Sequence, residues 1–170
     1  MDWYLLLLFA HILAGIGLLS ALCVEAVGFL GMRRSVTGNQ GHSWLVVQRN
    51  AVRFETIAMA TAVVAGIWMM AARWGPEAWT VTALAAIVGM AALTATVTRR
   101  GLKRLATGRT DGDNASDVAV AMKRRLGRSL WIRIGIGIGI LALMTSKPQG
   151  PASAGILLAA IVGGVVGAEL

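Results

Sequence analysis

Five apolar runs, set apart by shorter polar stretches, organise this chain: Trp3–Gly31, Phe54–Ala72, Ala78–Thr98, Leu130–Ser146 and Ala152–Ala168. Each approaches or exceeds the ~20 residues a helix needs to cross a hydrocarbon core of ~30 Å. The fourth contains the alternating stretch IGIGIGI at Ile134–Ile140. In water that alternation would read as a strand. In lipid an open strand leaves backbone N–H and C=O groups without partners, so helix is predicted there too. The fourth run carries Arg133 near its start and the fifth is rich in glycine. A re-entrant pair is an alternative for those two, but five crossings are the expectation. The fold class is all-α: one integral membrane helical bundle over residues 1–170, without repeats or an interdomain linker. The connections 32–53 and 99–129 lie on one side.

Composition supports a membrane setting. The 170 residues are 56% hydrophobic and 14% charged, with a mean hydropathy of +0.70. A soluble domain of this size has too little interior to hide so much apolar surface. The charge is sorted as well. Of the 16 Lys and Arg residues, all but Arg73 and Lys147 fall in or beside the connection after the first run and the one after the third. Short loops rich in Lys and Arg stay cytoplasmic, which predicts an outside N-terminus and an inside C-terminus in a bacterial inner membrane. The formal charge of +8 is thereby a topology signal, with attraction to anionic lipid headgroups as its consequence. Nucleic acid is not an expected partner, since the basic residues hug membrane ends without interleaved aromatics.

Tryptophans suggest an interfacial belt: Trp3, Trp74 and Trp79 at outer ends with Trp68 slightly deeper, and Trp44 and Trp131 at the inner side. The first run is too long for a signal-peptide core, and the Met-Asp-Trp start lacks positive charge. Cys23 follows Leu22, a poor lipobox, and a single cysteine permits no internal disulfide. Ser43–Arg53 places Trp44 and Val47 at helical spacing and predicts an interfacial helix running into the second span. Arg109–Asp117 (RTDGDNASD) is the most polar segment. It lacks the glycine position and closing glutamate of a calcium loop, and reads better as a turn before a helix capped by Ser116.

Ionisable groups inside spans default to functional candidates with a named partner. Glu25, Glu55 and Arg133 fall at comparable depth in the half of the membrane nearer the basic connections, which predicts that Arg133 pairs with one or both carboxylates. Such a network either fixes helix register or lies on an ion path. His11, on the same face of the first span as Glu25, is the candidate cofactor or metal ligand. Its ring nitrogen could ligate haem b or copper, with Met69, Met70 and Met144 as soft partners on the same side. The alternative is a hydrogen bond to a neighbouring helix. His42 lies in a connection on the wrong side to assist, and Met90 is a more distant sulfur. Small residues recur every fourth position in the last run (Gly155, Ala159, Gly163 and Gly167) and at Gly135 and Gly139 in the fourth. They allow close helix packing, within this chain or against another copy or membrane subunit.

The stretch FAHILAGIGLL at Phe9–Leu19 resembles the opening of small bacterial membrane proteins of the CopD-like and HemJ-like groups. It also resembles an uncharacterised integral membrane family, which tends to close a span with a pattern like LMTSKP at Leu143–Pro148. The resemblance covers roughly thirty residues. It implies copper handling in the first case and a bound haem with a role in haem synthesis in the second, and carries over His11 alone as ligand. The chain departs from that pattern by reading GIGLL at Gly15–Leu19, where a tryptophan-glycine pair is usual, and by having no second histidine inside a span.

Three functions follow as expectations: an accessory or assembly subunit of a larger membrane complex, a haem- or copper-binding membrane protein using His11, and a small oligomeric transporter or channel. With neither a nucleophile–base pair nor a phosphate loop, no catalytic residue is assigned and soluble-type enzyme chemistry is not expected.

Overall fold

Leucine, alanine, valine and isoleucine fill most positions of every span, so propensity and the need to pair backbone groups in lipid both select helix. The computed structural model describes residues 2–35, 38–106 and 115–169, and among these every regular element is helical. In chain order they are α1 (Trp3–Arg34), α2 (Gly38–Met69) ending in a π-helical turn (Met70–Trp74), α3 (Ala78–Leu93) ending in a second π-helical turn (Thr94–Thr98), α4 (Arg99–Ala106), α5 (Ala115–Ser146) and α6 (Pro151–Gly167). Four helical stretches, Trp3–Arg34, Gln40–Arg73, Ala78–Ala106 and Val120–Ser146, are long and apolar enough to cross a membrane, and α6 is a shorter apolar helix.

The helices run up and down. His11 meets Ala62 near one end of the α1–α2 pair, and Gln48 meets Glu25 towards the other, so α1 and α2 are antiparallel. In the same way Thr98 meets Ser129 while Lys147 lies near Trp79, which sets α3 against α5. The last two helices also form an antiparallel hairpin. Gly139 faces Leu157 near its turn, and Gly167 lies against Trp131. In this hairpin α6 runs along the apolar part of α5.

Size, more than polarity, sorts the faces. One part of the core contains Ala14, Ala58, Ala62, Ala83 and Ala86 around Met90 and Leu143, whereas Phe9, Ile12, Ile16, Val64, Val88 and Val162 point outward. With lipid as solvent, apolar side chains gain little by burial, so close backbone approach decides which face is inside. Outward hydroxyls return to their own helices: Thr61 donates to the Ile57 carbonyl and Thr96 to that of Ala92.

Ser43–Arg53 is helical and continues into the second apolar run as expected, forming the first part of α2, where Leu45, Gln48 and Val52 are buried and Trp44 lies against Gly31. A Cβ on Gly31 would collide with that indole, so this part of α2 packs closely on α1. One expectation changes. Trp79 is buried at 9% exposure, so it belongs to the interior and not to a lipid-facing belt. Trp3 and Trp68 are exposed, and the side chain of Trp74 lies outside the described residues. Residues 107–114 and the side chains of Ser116 and Asp117 also lie outside them, so the cap and calcium readings of that segment have no structural counterpart here.

Candidate functional site

Two places in the bundle hold polar chemistry, one in the half towards the basic end and one in the opposite half. In the first, α1, α2 and α5 bring Glu25, Glu55 and Arg133 together. Arg133 sends one amino group to Glu25 Oε1 through Nη2, and the other to Glu55 Oε2 through Nη1 at 2.7 Å. The guanidinium therefore bridges two carboxyl groups instead of gripping one side-on. Exposure is 2% for Glu25 and zero for Glu55 and Arg133. The neighbours are polar but uncharged. Gln48 donates to the backbone carbonyl of Glu25 at 2.6 Å. Thr94, in the second π-helical turn, lies 3.4 and 3.5 Å from the Glu55 oxygens and donates more favourably to the Met90 carbonyl at 3.0 Å. One helical turn along from Thr94 and from Arg133, the hydroxyls of Thr98 and Ser129 meet at 3.1 Å. Beyond them Arg99, exposed, donates to Thr56 Oγ1 at 2.7 Å.

Two buried atoms of the cluster, Glu25 Oε2 and Arg133 Nε, have no hydrogen-bond partner among the described residues. Such orphaned atoms are uncommon in native interiors and mark where chemistry is unfinished.

The second place is a cavity of about 470 Å³ between α1, α2, α3 and α5. Its wall includes Tyr4, His11, Met69, Met70, Trp79 and Met144, amid mostly aliphatic side chains, with Lys147 at the edge. A volume within the ~300–1,000 Å³ of ordinary ligand pockets, lined by apolar groups with a few polar ones, is the usual form of a small-molecule site. The first π-helical turn (Met70–Trp74) adjoins it, just as the second adjoins the charge cluster. π-turns of this kind often accompany functional positions.

His11 is positioned by a glycine. Its Nδ1 lies 3.0 Å from the Ala62 carbonyl oxygen, and a Cβ on Gly66 would come within 3.3 Å of its Cε1, a tight contact. A carbonyl can only accept, so Nδ1 carries the hydrogen, and in the neutral ring Nε2 is then the nitrogen with the lone pair. No described residue bonds Nε2. Arg73 stacks over the Tyr4 ring at 4.9 Å, and Lys147 lies 5.9 Å from the Trp79 ring, so two cations flank this end of the bundle.

The structure thus brings Glu25, Glu55 and Arg133 to one cluster and places His11 apart from them, beside Met69, Met70 and Met144. Met90 is in the core and His42 is exposed on α2 at the basic end. No group of three or more His, Cys, Asp or Glu side chains disposed to hold a metal ion occurs among the described residues. Copper at this cavity would have to rest on His11 and thioether sulfur alone. Of the small residues, Gly135 and Gly139 lie against α6, where a Cβ on Gly135 would strike the Ala160 carbonyl. The inward face of α6 is Ala160 and Gly164. Gly155, Ala159 and Gly163 are exposed, with nothing near Gly155 or Gly163, and only Gly167 of that stripe meets α5, at Trp131.

The sequence reading missed the cavity, Gln48, and the Thr98–Ser129 pair. A signal was present for the polar residues: Gln48 is seven before Glu55, Thr94 four before Thr98, and Ser129 four before Arg133, each repeat returning to the same helix face. No protein-family model, curated protein or solved structure matches this chain.

Proposed function

We propose that this chain is a membrane-embedded binding protein for a planar apolar ligand of the haem type, held in the cavity between α1, α2, α3 and α5. The observation that carries this reading is the His11 imidazole, on the cavity wall with Nδ1–H committed to the Ala62 carbonyl and Nε2 left as a lone pair. A hydrogen bond on the far nitrogen is what orients a ligating histidine and fixes its tautomer. The residues fit the group in other respects. Met69, Met70 and Met144 border the same space, and a methionine sulfur there could supply a second ligand. Lys147 at the edge and Arg73 beside Tyr4 suit the carboxylates of such a ligand. Bound haem would supply one-electron chemistry. The chain's own part is to orient the imidazole, surround the ring with apolar side chains and place cations at its carboxylate edge. The setting proposed is a bacterial inner membrane with the basic end cytoplasmic, supported by the sorting of Lys and Arg to that end.

The test is expression with a haem precursor, mild-detergent purification and a visible spectrum. The expected result is a Soret band that His11→Ala abolishes while the helical circular dichroism is unchanged. A colourless protein after haem supplementation, or a Soret band unchanged in His11→Ala, would overturn the reading.

A second reading is that the chain is an accessory or assembly subunit of a membrane complex. The outward small-residue face of α6, Gly155 with Ala159 and Gly163, favours it by leaving room for another helix to approach. Native mass spectrometry of the protein at endogenous levels distinguishes the two: extra polypeptide mass supports the subunit, and an added haem mass on a bare chain supports the binding protein.

A further inference from the structure

The charge cluster in the other half of the bundle does not take part in the proposed ligand cavity, and its charges do not balance. Two carboxyl groups meet one guanidinium. Among the described residues no other ionisable side chain is paired with them: α1 contributes Glu25, α2 Glu55 and α5 Arg133, the second π-helical turn contributes Thr94, and α6 has no ionisable residue. Arg99, towards the same end, is exposed and engaged with Thr56. With both carboxyl groups ionised the cluster would carry a net negative charge inside the hydrocarbon layer, where an uncompensated ion is among the most costly groups to place.

The surroundings do not compensate for it by hydrogen bonding. A buried carboxylate that remains ionised is usually ringed by donors. Here Glu25 Oε2 accepts no hydrogen bond from any described residue, the Thr94 hydroxyl favours the Met90 carbonyl, and Gln48 spends its amide on the Glu25 backbone. The guanidinium divides its two amino groups between the carboxyl groups, so neither receives a complete bidentate pair. One carboxylate and one carboxylic acid around a single guanidinium is the neutral arrangement that this donor set can support.

We propose that the Glu25–Arg133–Glu55 cluster is a proton-binding site that holds one exchangeable proton, shared between the two carboxyl groups and reached from the basic end of the bundle. Binding converts one carboxylate and a proton from water into a carboxylic acid, and release reverses it, with no redox partner. Because the two carboxyl groups share one guanidinium, the proton belongs to the pair and not to either residue. The route is marked by hydroxyls. Thr98 and Ser129, hydrogen-bonded to each other, are buried one turn from Thr94 and Arg133, between the cluster and the exposed Arg99. A proton here is lost or gained according to conditions at that end.

Infrared spectroscopy of the full chain in lipid vesicles, with ¹³C-labelled glutamate, tests this. The chain has four glutamates, Glu25, Glu55, Glu77 and Glu169, and the last two lie outside the spans. At neutral pH the wild-type protein should show a ¹³C-shifted carboxylic-acid band equivalent to one group per chain. Glu25→Gln and Glu55→Gln should each remove it, because the remaining carboxylate then has the guanidinium to itself. The double variant Glu77→Gln/Glu169→Gln should retain it. Absence of the band in the wild-type protein, or its persistence in either Glu25→Gln or Glu55→Gln, overturns the proposal. The wild-type measurement decides the matter even if a variant fails to fold. In D₂O, Thr98→Val/Ser129→Ala should slow exchange of the acid proton by about tenfold or more, and an unchanged rate overturns the route.

Discussion

Arg133 is the residue on which most of the polar interior depends. It is completely buried and, among the described residues, is the only cation paired with Glu25 and Glu55. Arg133→Leu would leave two carboxyl groups facing each other in an apolar setting, and breaking a buried ion pair from one side costs about 3–5 kcal/mol. Its unfolding midpoint in an SDS titration should drop accordingly. Adding Glu25→Gln and Glu55→Gln to Arg133→Leu should restore much of the loss, since an apolar or neutral replacement of the whole cluster is often no worse than the charges. A single variant as stable as wild type would show that the pairing contributes nothing to the fold. His11 is a residue of another kind. Its hydrogen bond to Ala62 holds a ring more than its own helix could, and Gly66 makes room for it. Gly66→Ala should therefore reduce ligand retention by displacing the imidazole, while leaving the helices intact by circular dichroism.

At the scale of elements, the α5–α6 hairpin has a defined contact surface. A methyl group on Gly135 or Gly164 would meet backbone of the opposing helix, at Ala160 and Trp131 respectively, and backbone cannot step aside as a flexible side chain can. Gly135→Ala and Gly164→Ala should each destabilise by about 1–3 kcal/mol, as overpacking does. Gly155→Ala and Gly163→Ala, with open space at the same point, should be neutral or slightly stabilising in a helix. Equal effects at all four positions in SDS titration would mean that α6 does not dock by this face. The Thr98–Ser129 bond joins the other pair of neighbours, α5 and the end of α3. A double-mutant cycle with Thr98→Val and Ser129→Ala should give a coupling of about 0.6 kcal/mol, and no more than ~1.7, as interhelical hydrogen bonds in membranes do.

For the molecule as a whole, the consequential assignment is which end faces the cytoplasm. In a Cys23→Ser background, Gln149→Cys lies between α5 and α6 at one end, and His42→Cys is exposed near the start of α2 at the other. An impermeant maleimide applied to intact cells should label Gln149→Cys and spare His42→Cys. The opposite pattern would invert the proposed orientation. The ends also differ in how they are closed. At the end away from the basic residues, Gln149 donates to Glu77 Oε2 at 2.9 Å, which ties the α5–α6 turn to the segment before α3. At the basic end Arg128 pairs with Glu169 on the surface, an exposed contact of modest worth.

How much of this was present in the sequence depends on what the solvent can report. Long apolar runs determine spanning helices, because lipid leaves the backbone no other way to pair its polar groups. The depth of Glu25, Glu55 and Arg133 along their helices was legible for a similar reason, since rise per residue is fixed. Facing was not. In Gly155, Ala159 and Gly163 the regular spacing identified a real stripe, but the stripe that docks on α5 is Ala160 and Gly164. In water, polarity would have shown which side is outside. In a bilayer both sides of α6 are apolar, and only the shape of the neighbouring helix selects one. The cavity was likewise invisible, because a space between four helices belongs to no local pattern. The sequence alone determined a set of helices apolar enough to cross a membrane, with most of the basic residues towards one end and three ionisable groups at one depth. The tertiary structure decided which faces meet, that one guanidinium serves two carboxyl groups, and that His11 stands at a cavity with its Nε2 lone pair unengaged. Those are matters of packing volume and rotation about each helix axis, on which a uniformly apolar pattern is silent.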